Sequence, residues 1–152
     1  MGKIETACQK LITRPELVNL ATIDGNGYPQ MRAIANMRNN SLYPNLQPFF
    51  HNQPCFRIFL TTHSRSRKIR QIKSNSKTSV YFIMPDEFHS LLLLGDLIRV
   101  KDRTIKETLW QAGWKQFYKD GPTGPTFAVF KMDPVIAKGW FKNKPYSFKI
   151  AK

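Results

Sequence analysis

The sequence predicts a mainly β domain, a mostly antiparallel barrel flanked by helices. Three observations carry that expectation. Runs with apolar residues at every second position recur along the chain. Most links between them are too short for parallel crossovers. A DGNG tetrapeptide at 24–27 marks a tight hairpin, because Gly and Asn accept the positive φ such turns require. At 152 residues the chain suits a single domain spanning 1–152, and 41% hydrophobic content argues against global disorder.

The elements follow in order. Residues 3–13 place Ile4, Ala7, Cys8, Leu11 and Ile12 at helical spacing, and Pro15 ends the helix. ELVNLATI (16–23) alternates as a half-buried strand. YPQMRAIANMR (28–38) returns as its partner, with Met31, Ala33 and Ala35 on one face and Arg32, Ile34 and Asn36 on the other. Residues 39–55, rich in Asn, Pro and Gln, read as a long loop. FRIFLTT (56–62) is a third strand, and SRSRKIRQIKSN (64–75) a helix capped by Ser64 or Ser66, with Ile69 and Ile72 as its apolar ridge. TSVYFIM (78–84) is a fourth strand. SLLLLGDLIRVKD (90–102) is a long fifth one, with Gly95 as a bulge or a close backbone approach. TIKETLWQAGWKQFYKDG (104–121) predicts one helix with a wide face of Leu109, Trp110, Trp114, Phe117 and Tyr118, stopped by Gly121-Pro122. TFAVFKM (126–132) and VIAKGWF (135–141) are the last two strands, around Asp133-Pro134.

The net charge of +14 attracts polyanions, anionic membranes or phosphorylated small molecules. Between Asp24 and Asp86 there is no carboxylate, yet Arg32, Arg38, Arg57, Arg65, Arg67, Lys68, Arg70, Lys73 and Lys77 fall there. An anionic partner and a solvated basic surface both account for this. Cys8 and Cys55 have no metal-ligand spacing and read as thiols of a reducing compartment, a disulfide being the other option. The first residues, MGKIETACQKLITRPE, hold no apolar signal core, and the longest apolar run, Leu91 to Leu94, is far too short to span a bilayer. A cytoplasmic location with no membrane partner is therefore expected.

Chemistry-bearing residues concentrate in FLTTHSRSRKIRQI (59–72). A helix start offers free N–H groups and partial positive charge, both suited to phosphate. Thr61, Thr62, Ser64 and Ser66 add hydroxyls, and Arg67 and Lys68 add charge. Taken alone, the stretch fits either a phosphate site or a solvated basic helix. Arg32 lies within a strand, where a long cation on a packed face needs a partner. His51, His63 and His89 show no zinc spacing, no nucleophile–base arrangement stands out, and no phosphate-loop signature occurs. If the protein is an enzyme, a cofactor carries its chemistry.

Four stretches together resemble the FMN-binding split-barrel family related to pyridoxamine 5′-phosphate oxidase, in its small general-stress-protein branch. They are ATIDGNGYPQMRAI (21–34), FLTTHSRSRKIRQIKSNSKTSVYF (59–82), LLGDLIRVKD (93–102) and WKQFYKDGPTGPTFAVFKMDPVIAKGW (114–140). The resemblance implies a six-stranded antiparallel split barrel and a homodimer with two FMN molecules at its interface. In that family a strand Arg and a Ser-Arg-Lys at the next helix start grip the FMN phosphate; these match Arg32 and Ser66, Arg67, Lys68. Thr61 and Thr62 match positions touching the flavin and its ribityl phosphate chain. Ala33 and Ile34 match backbone bordering the isoalloxazine ring, and Trp140 an aromatic supplied by the partner chain. Two positions depart from the oxidases: Met37 replaces a Lys and Ser90 a Gln. The Arg- and His-bearing segment that holds pyridoxal phosphate is expected to be absent, the sequence given ending YSFKIAK.

The expected function is thus flavin-dependent oxidoreduction, with a reduced nicotinamide nucleotide or another anionic small molecule as donor, an open acceptor, and no true pyridoxamine phosphate oxidation. The alternatives are a nucleic-acid-binding basic module and a non-catalytic flavin or haem carrier, and a deazaflavin could stand in for FMN. Arg65, Arg70 and Lys73 are left over by the phosphate site.

Overall fold

A computed structural model describes residues 2–152. The helices are α1 (Lys3–Leu11), α2 (Gln47–His51), α3 (Arg67–Ser74) and α4 (Arg103–Leu109). The strands are β1 (Leu17–Ile23), β2 (Pro29–Ala35), β3 (Ile58–His63), β4 (Lys77–Met84), β5 (His89–Val100), β6 (Phe127–Met132), β7 (Ile136–Phe141) and β8 (Lys144–Lys149). Six strands run in the order β2-β1-β4-β5-β6-β3, every neighbour antiparallel. They form one curled half-barrel, as expected for a split barrel. The β7–β8 hairpin docks on β5 beside β6.

Alternation sorts the strands into two faces. Val18, Leu20, Val80, Phe82, Leu91 and Leu93 point into the curl with Leu60 and Phe130, and Ile69 and Ile72 of α3 pack on the same core. A second core lies outside β3 and β6. There Phe59, Phe127 and Val129 meet Met37, Leu46, Phe50 and Leu109. Fully burying a side chain of this kind contributes about 1.5–3 kcal/mol, so the two clusters dominate the stability of the domain.

The region expected to be one helix over 104–121 is not continuous. Helix α4 stops at Leu109, Trp110 is extended at ψ 137°, and Gly113 takes φ 84° before a 3-10 turn at Trp114–Gln116. A straight helix would spread residues 110, 114 and 118 along about 12 Å of axis. Instead the rings of Trp110, Trp114 and Tyr118 gather around Phe127, with centroids 5.1, 5.9 and 5.0 Å away. Convergence on one buried ring wins over helical periodicity. Phe117, expected on the apolar face, is exposed.

The expected loop over 39–55 holds α2 and a 3-10 turn at Pro44–Leu46, which bury Leu46 and Phe50. Arg38 fixes it. Its Nε donates to the Arg57 carbonyl at 2.9 Å, its Nη2 to the Pro54 carbonyl at 2.7 Å, and its guanidinium lies 4.6 Å from the Phe50 ring centroid. Burial lowers its pKa to about 10. Arg57 in turn is paired with Asp133. Arg38 and Arg57 therefore belong to the scaffold and not to an anion site. Arg38→Ala is expected to cost about 2–4 kcal/mol in chemical denaturation, since two charge-assisted bonds and a ring contact vanish.

Strand β8 was not expected. Lys142 and Asn143, at φ 49° and 63°, make the two-residue turn that returns the chain. Pro145 masks the strand in sequence, and it is tolerated because β8 is an edge strand. Gly95 does mark a close approach: a Cβ there would sit 2.8 Å from Met132 Cγ and 3.1 Å from the Asp133 carbonyl oxygen. At this point the register of β5 with β6 slips by one residue before resuming with β7.

Candidate functional site

The site is built around helix α3, which links the two open-edged strands of the half-barrel. Strands β2 and β3 each have one paired neighbour and one open side. Helix α3 follows β3 directly and packs back toward β1, bridging the opening. Its apolar ridge fixes its rotation, which turns Gln71 toward β1 and β2 and Lys68 toward the end of β3.

Arg32 lies on the inner face of β2. Its Nη1 donates to Thr22 Oγ1 at 2.6 Å and its Nη2 to Gln71 Oε1 at 3.1 Å. The Thr22 hydroxyl in turn donates to Gln71 Oε1 at 2.5 Å. This triangle holds the guanidinium in place without neutralising it. Lys68 Nζ donates to Thr62 Oγ1 and to Ser66 Oγ, both at 2.7 Å. Burial lowers the pKa of Arg32, and burial together with the nearby Arg32 charge lowers that of Lys68. Neither cation has a carboxylate partner among the described residues. Two partly desolvated like charges held together without a counter-ion are unfavourable for the free protein, and an anion between them would reverse the sign.

Ser66 occupies the N-cap of α3, as expected, but its hydroxyl makes no capping bond, being used by Lys68. The helix start is thus left without a side-chain acceptor. Arg67, the first helical residue, is solvent-exposed beside it.

The chain brings Arg32, Thr62, Ser66, Arg67 and Lys68 to one place. Other expected residues stand apart. Thr61 points to the outer side of β3, hydrogen-bonded to Tyr118. Ala33 is exposed on the outer face of β2, while Ile34 packs inward against the core. Trp140 is 55% exposed on β7, and β1, β4 and β5 separate it from β2. Thr22 and Gln71 were missed. Both carried a signal: Thr22 is an inward polar residue in an alternating strand, and Gln71 lies one turn after Lys68.

The family model described as pyridoxamine 5′-phosphate oxidase matches residues 4–141. The chain belongs to that family. In fold it is similar to a Clostridium acetobutylicum protein related to general stress protein 26, at 23% identity and TM-score 0.76, over 97% of this chain and 95% of that one. It is similar also to a pyridoxamine 5′-phosphate oxidase-related, FMN-binding protein of Nostoc punctiforme, at 16% identity and TM-score 0.64, over 100% and 98%. A haem-binding protein from Mycobacterium smegmatis shares the fold at 12% identity and TM-score 0.67, over 98% of this chain and 59% of that one. No curated protein matches the sequence.

Met37 and Ser90, the two positions at which the resemblance expects other residues, are both built into the scaffold. Met37 is buried in the second core and offers no charge. The Ser90 hydroxyl accepts the Trp140 backbone N–H at 3.2 Å. Among the described residues no group of His, Cys, Asp or Glu could hold a metal ion, and no helix is long and apolar enough to cross a membrane.

Proposed function

We propose that this chain binds FMN at the seam between β2 and β3 and acts as a flavin-dependent oxidoreductase. One observation carries the reading: Arg32 and Lys68, both drawn partly out of water and neither paired to a carboxylate, converge with the Thr62 and Ser66 hydroxyls at the start of α3. That donor set fits a phosphate monoester, with Arg67 closing over it from solvent. The open edge of β2 at Ala33–Ile34 would border the ring; Thr61, turned to the outer side of β3, would meet the flavin only through its backbone. FMN, when bound, supplies hydride or electron transfer; the protein fixes its phosphate and shapes its surroundings. A reduced nicotinamide nucleotide is the proposed donor, drawn by the basic surface.

A homodimer would complete the site. The outer sheet face exposes Leu17, Met31, Ile83 and Trp140, at 61%, 67%, 41% and 55%. Ala33 lies on this same face, in register through Asn19, Tyr81 and Leu92 with Lys138, two residues before Trp140. A two-fold pairing of this apolar face would carry Trp140 of one copy toward Ala33 of the other. The mass measured by light scattering should correspond to two chains, and a monomer at micromolar concentration would contradict the pairing.

Purified or reconstituted protein should be yellow, with flavin absorption bands, and the flavin should bleach on anaerobic addition of a nicotinamide nucleotide. Colourless protein that takes up no added FMN would remove the whole reading. The Mycobacterium smegmatis neighbour gives a carrier reading some support. Uptake of haem with a Soret band, and none of flavin, would favour it.

A further inference from the structure

We propose that a second cavity, on a different face of α3, binds a nucleotide-class anion: a ligand with two or more phosphate charges and a flat apolar body. The cavity, about 550 Å³, lies between α3, the end of β5, α4 and β6. It shares no lining residue with the Arg32–Lys68 cradle and does not depend on the flavin reading. Four cations rim it: Lys73 from α3, Arg99 and Lys101 from β5 and its exit, and Lys106 from α4. Among the described residues no carboxylate lines it. The nearest carboxylates in sequence are engaged elsewhere: Asp96 with Ser76 and Lys77, Asp102 as the cap of α4, and Glu107 with Arg103. Among the described residues the Lys106 ammonium reaches the Gly124 carbonyl at 3.5 Å and the Phe127 ring at 5.9 Å and no carboxylate. Its pKa is lowered, first by burial and then by the Arg99 charge.

The floor gives the rest of the specificity. Between the cations the cavity's lining is apolar, from Ile69, Ile72, Leu97, Val100 and Phe130. A free phosphate would fill little of this space and leave the apolar floor wet. A ligand pocket of roughly 300–1,000 Å³ with a few convergent charges suits a compact molecule. The leftover cations of the sequence divide accordingly: Lys73 joins this cavity, and Arg65 and Arg70 stay in solvent.

Calorimetric titration with ADP at low salt tests the proposal on three proteins: wild type, Arg99→Gln/Lys106→Gln, and Arg32→Gln/Lys68→Gln. Saturable ADP binding should survive in the Arg32/Lys68 variant and weaken roughly 10–100-fold in the Arg99/Lys106 variant. Pyrophosphate should bind more weakly than ADP, and adenosine not measurably. Several results would overturn it: no saturable ADP binding, equal binding by the Arg99/Lys106 variant, or loss confined to the Arg32/Lys68 variant, which would put ADP in the cradle. Pyrophosphate binding as tightly as ADP would refute the apolar half. Tight, steeply salt-dependent oligonucleotide binding without ADP binding would assign the rim to nucleic acid instead.

Discussion

Replacing Arg32 and Lys68 together with glutamine is expected to abolish FMN uptake while leaving the fold intact. Each cation would lose one or more charge-assisted bonds to the phosphate, worth about 1.5–3 kcal/mol apiece, so the pair should cost a factor of roughly 10²–10⁴ in affinity. The folding side runs the other way. Neither cation balances a carboxylate, so removing them strands no counter-charge. Burial and mutual repulsion already disfavour the charged Lys68. The flavin-free variant should therefore match or exceed the flavin-free wild type in unfolding midpoint. That combination separates a binding role from a structural one: a residue needed only for folding would lower both. Arg65→Gln is the control. Arg65 is exposed and outside the cradle, and its loss should leave FMN affinity within about twofold. Native FMN affinity in the double variant would sink the phosphate assignment.

Gly139→Ala should be among the most destabilising single changes in the chain. Gly139 pairs with Leu91 of β5 on one side and Tyr146 of β8 on the other. The Tyr146 side chain crosses it, and its hydroxyl donates to the Ser90 carbonyl at 2.6 Å. A Cβ at residue 139 would lie 2.1 Å from that carbonyl oxygen and 3.0 Å from the Tyr146 hydroxyl. The obstacle is backbone of a central strand, which no side-chain rotation relieves. The β5–β7 ladder must separate or the Tyr146 bond must break. A cost of about 3 kcal/mol or more follows, which for a domain of this size lowers the thermal midpoint by roughly 6–12 °C. Gly25→Ala is the matched comparison: no atom lies within 4 Å of its added Cβ, and its φ is not positive. It should shift the midpoint by little. Equal midpoints for the two variants would show that the hairpin yields without cost.

Much of the fold was legible because its signals are local. Alternation gives β1 through β7, the DGNG turn fixes the first hairpin, and Pro15 bounds α1. Those features depend on neighbours one to four residues away. The failures share a cause. Helix α4 breaks because three aromatic rings converge on Phe127, a residue remote in sequence from two of them. Strand β8 hides behind Pro145, which only an edge position makes acceptable. The expected loop at 39–55 orders around Arg38, whose partners are carbonyls that no pattern reveals.

The candidate site divides in the same way. Ser66, Arg67 and Lys68 are adjacent in sequence, and helical spacing alone places Gln71 on the face of Lys68. That Arg32 joins them is a tertiary fact. Which cations are available for an anion is tertiary as well: Arg38 is buried on backbone carbonyls and Arg57 pairs with Asp133, while Arg32 and Lys68 stay half-buried and are held, among the described residues, only by neutral side chains. The sequence by itself determined the strand and helix periods, the basic bias and the local phosphate-suited segment, because these follow from side-chain type and short-range geometry. Only the tertiary structure decided the seam. The curl of the sheet brings its two open edges, β2 and β3, under one helix, and through-space burial separates the charges that seek a ligand from those that hold the fold.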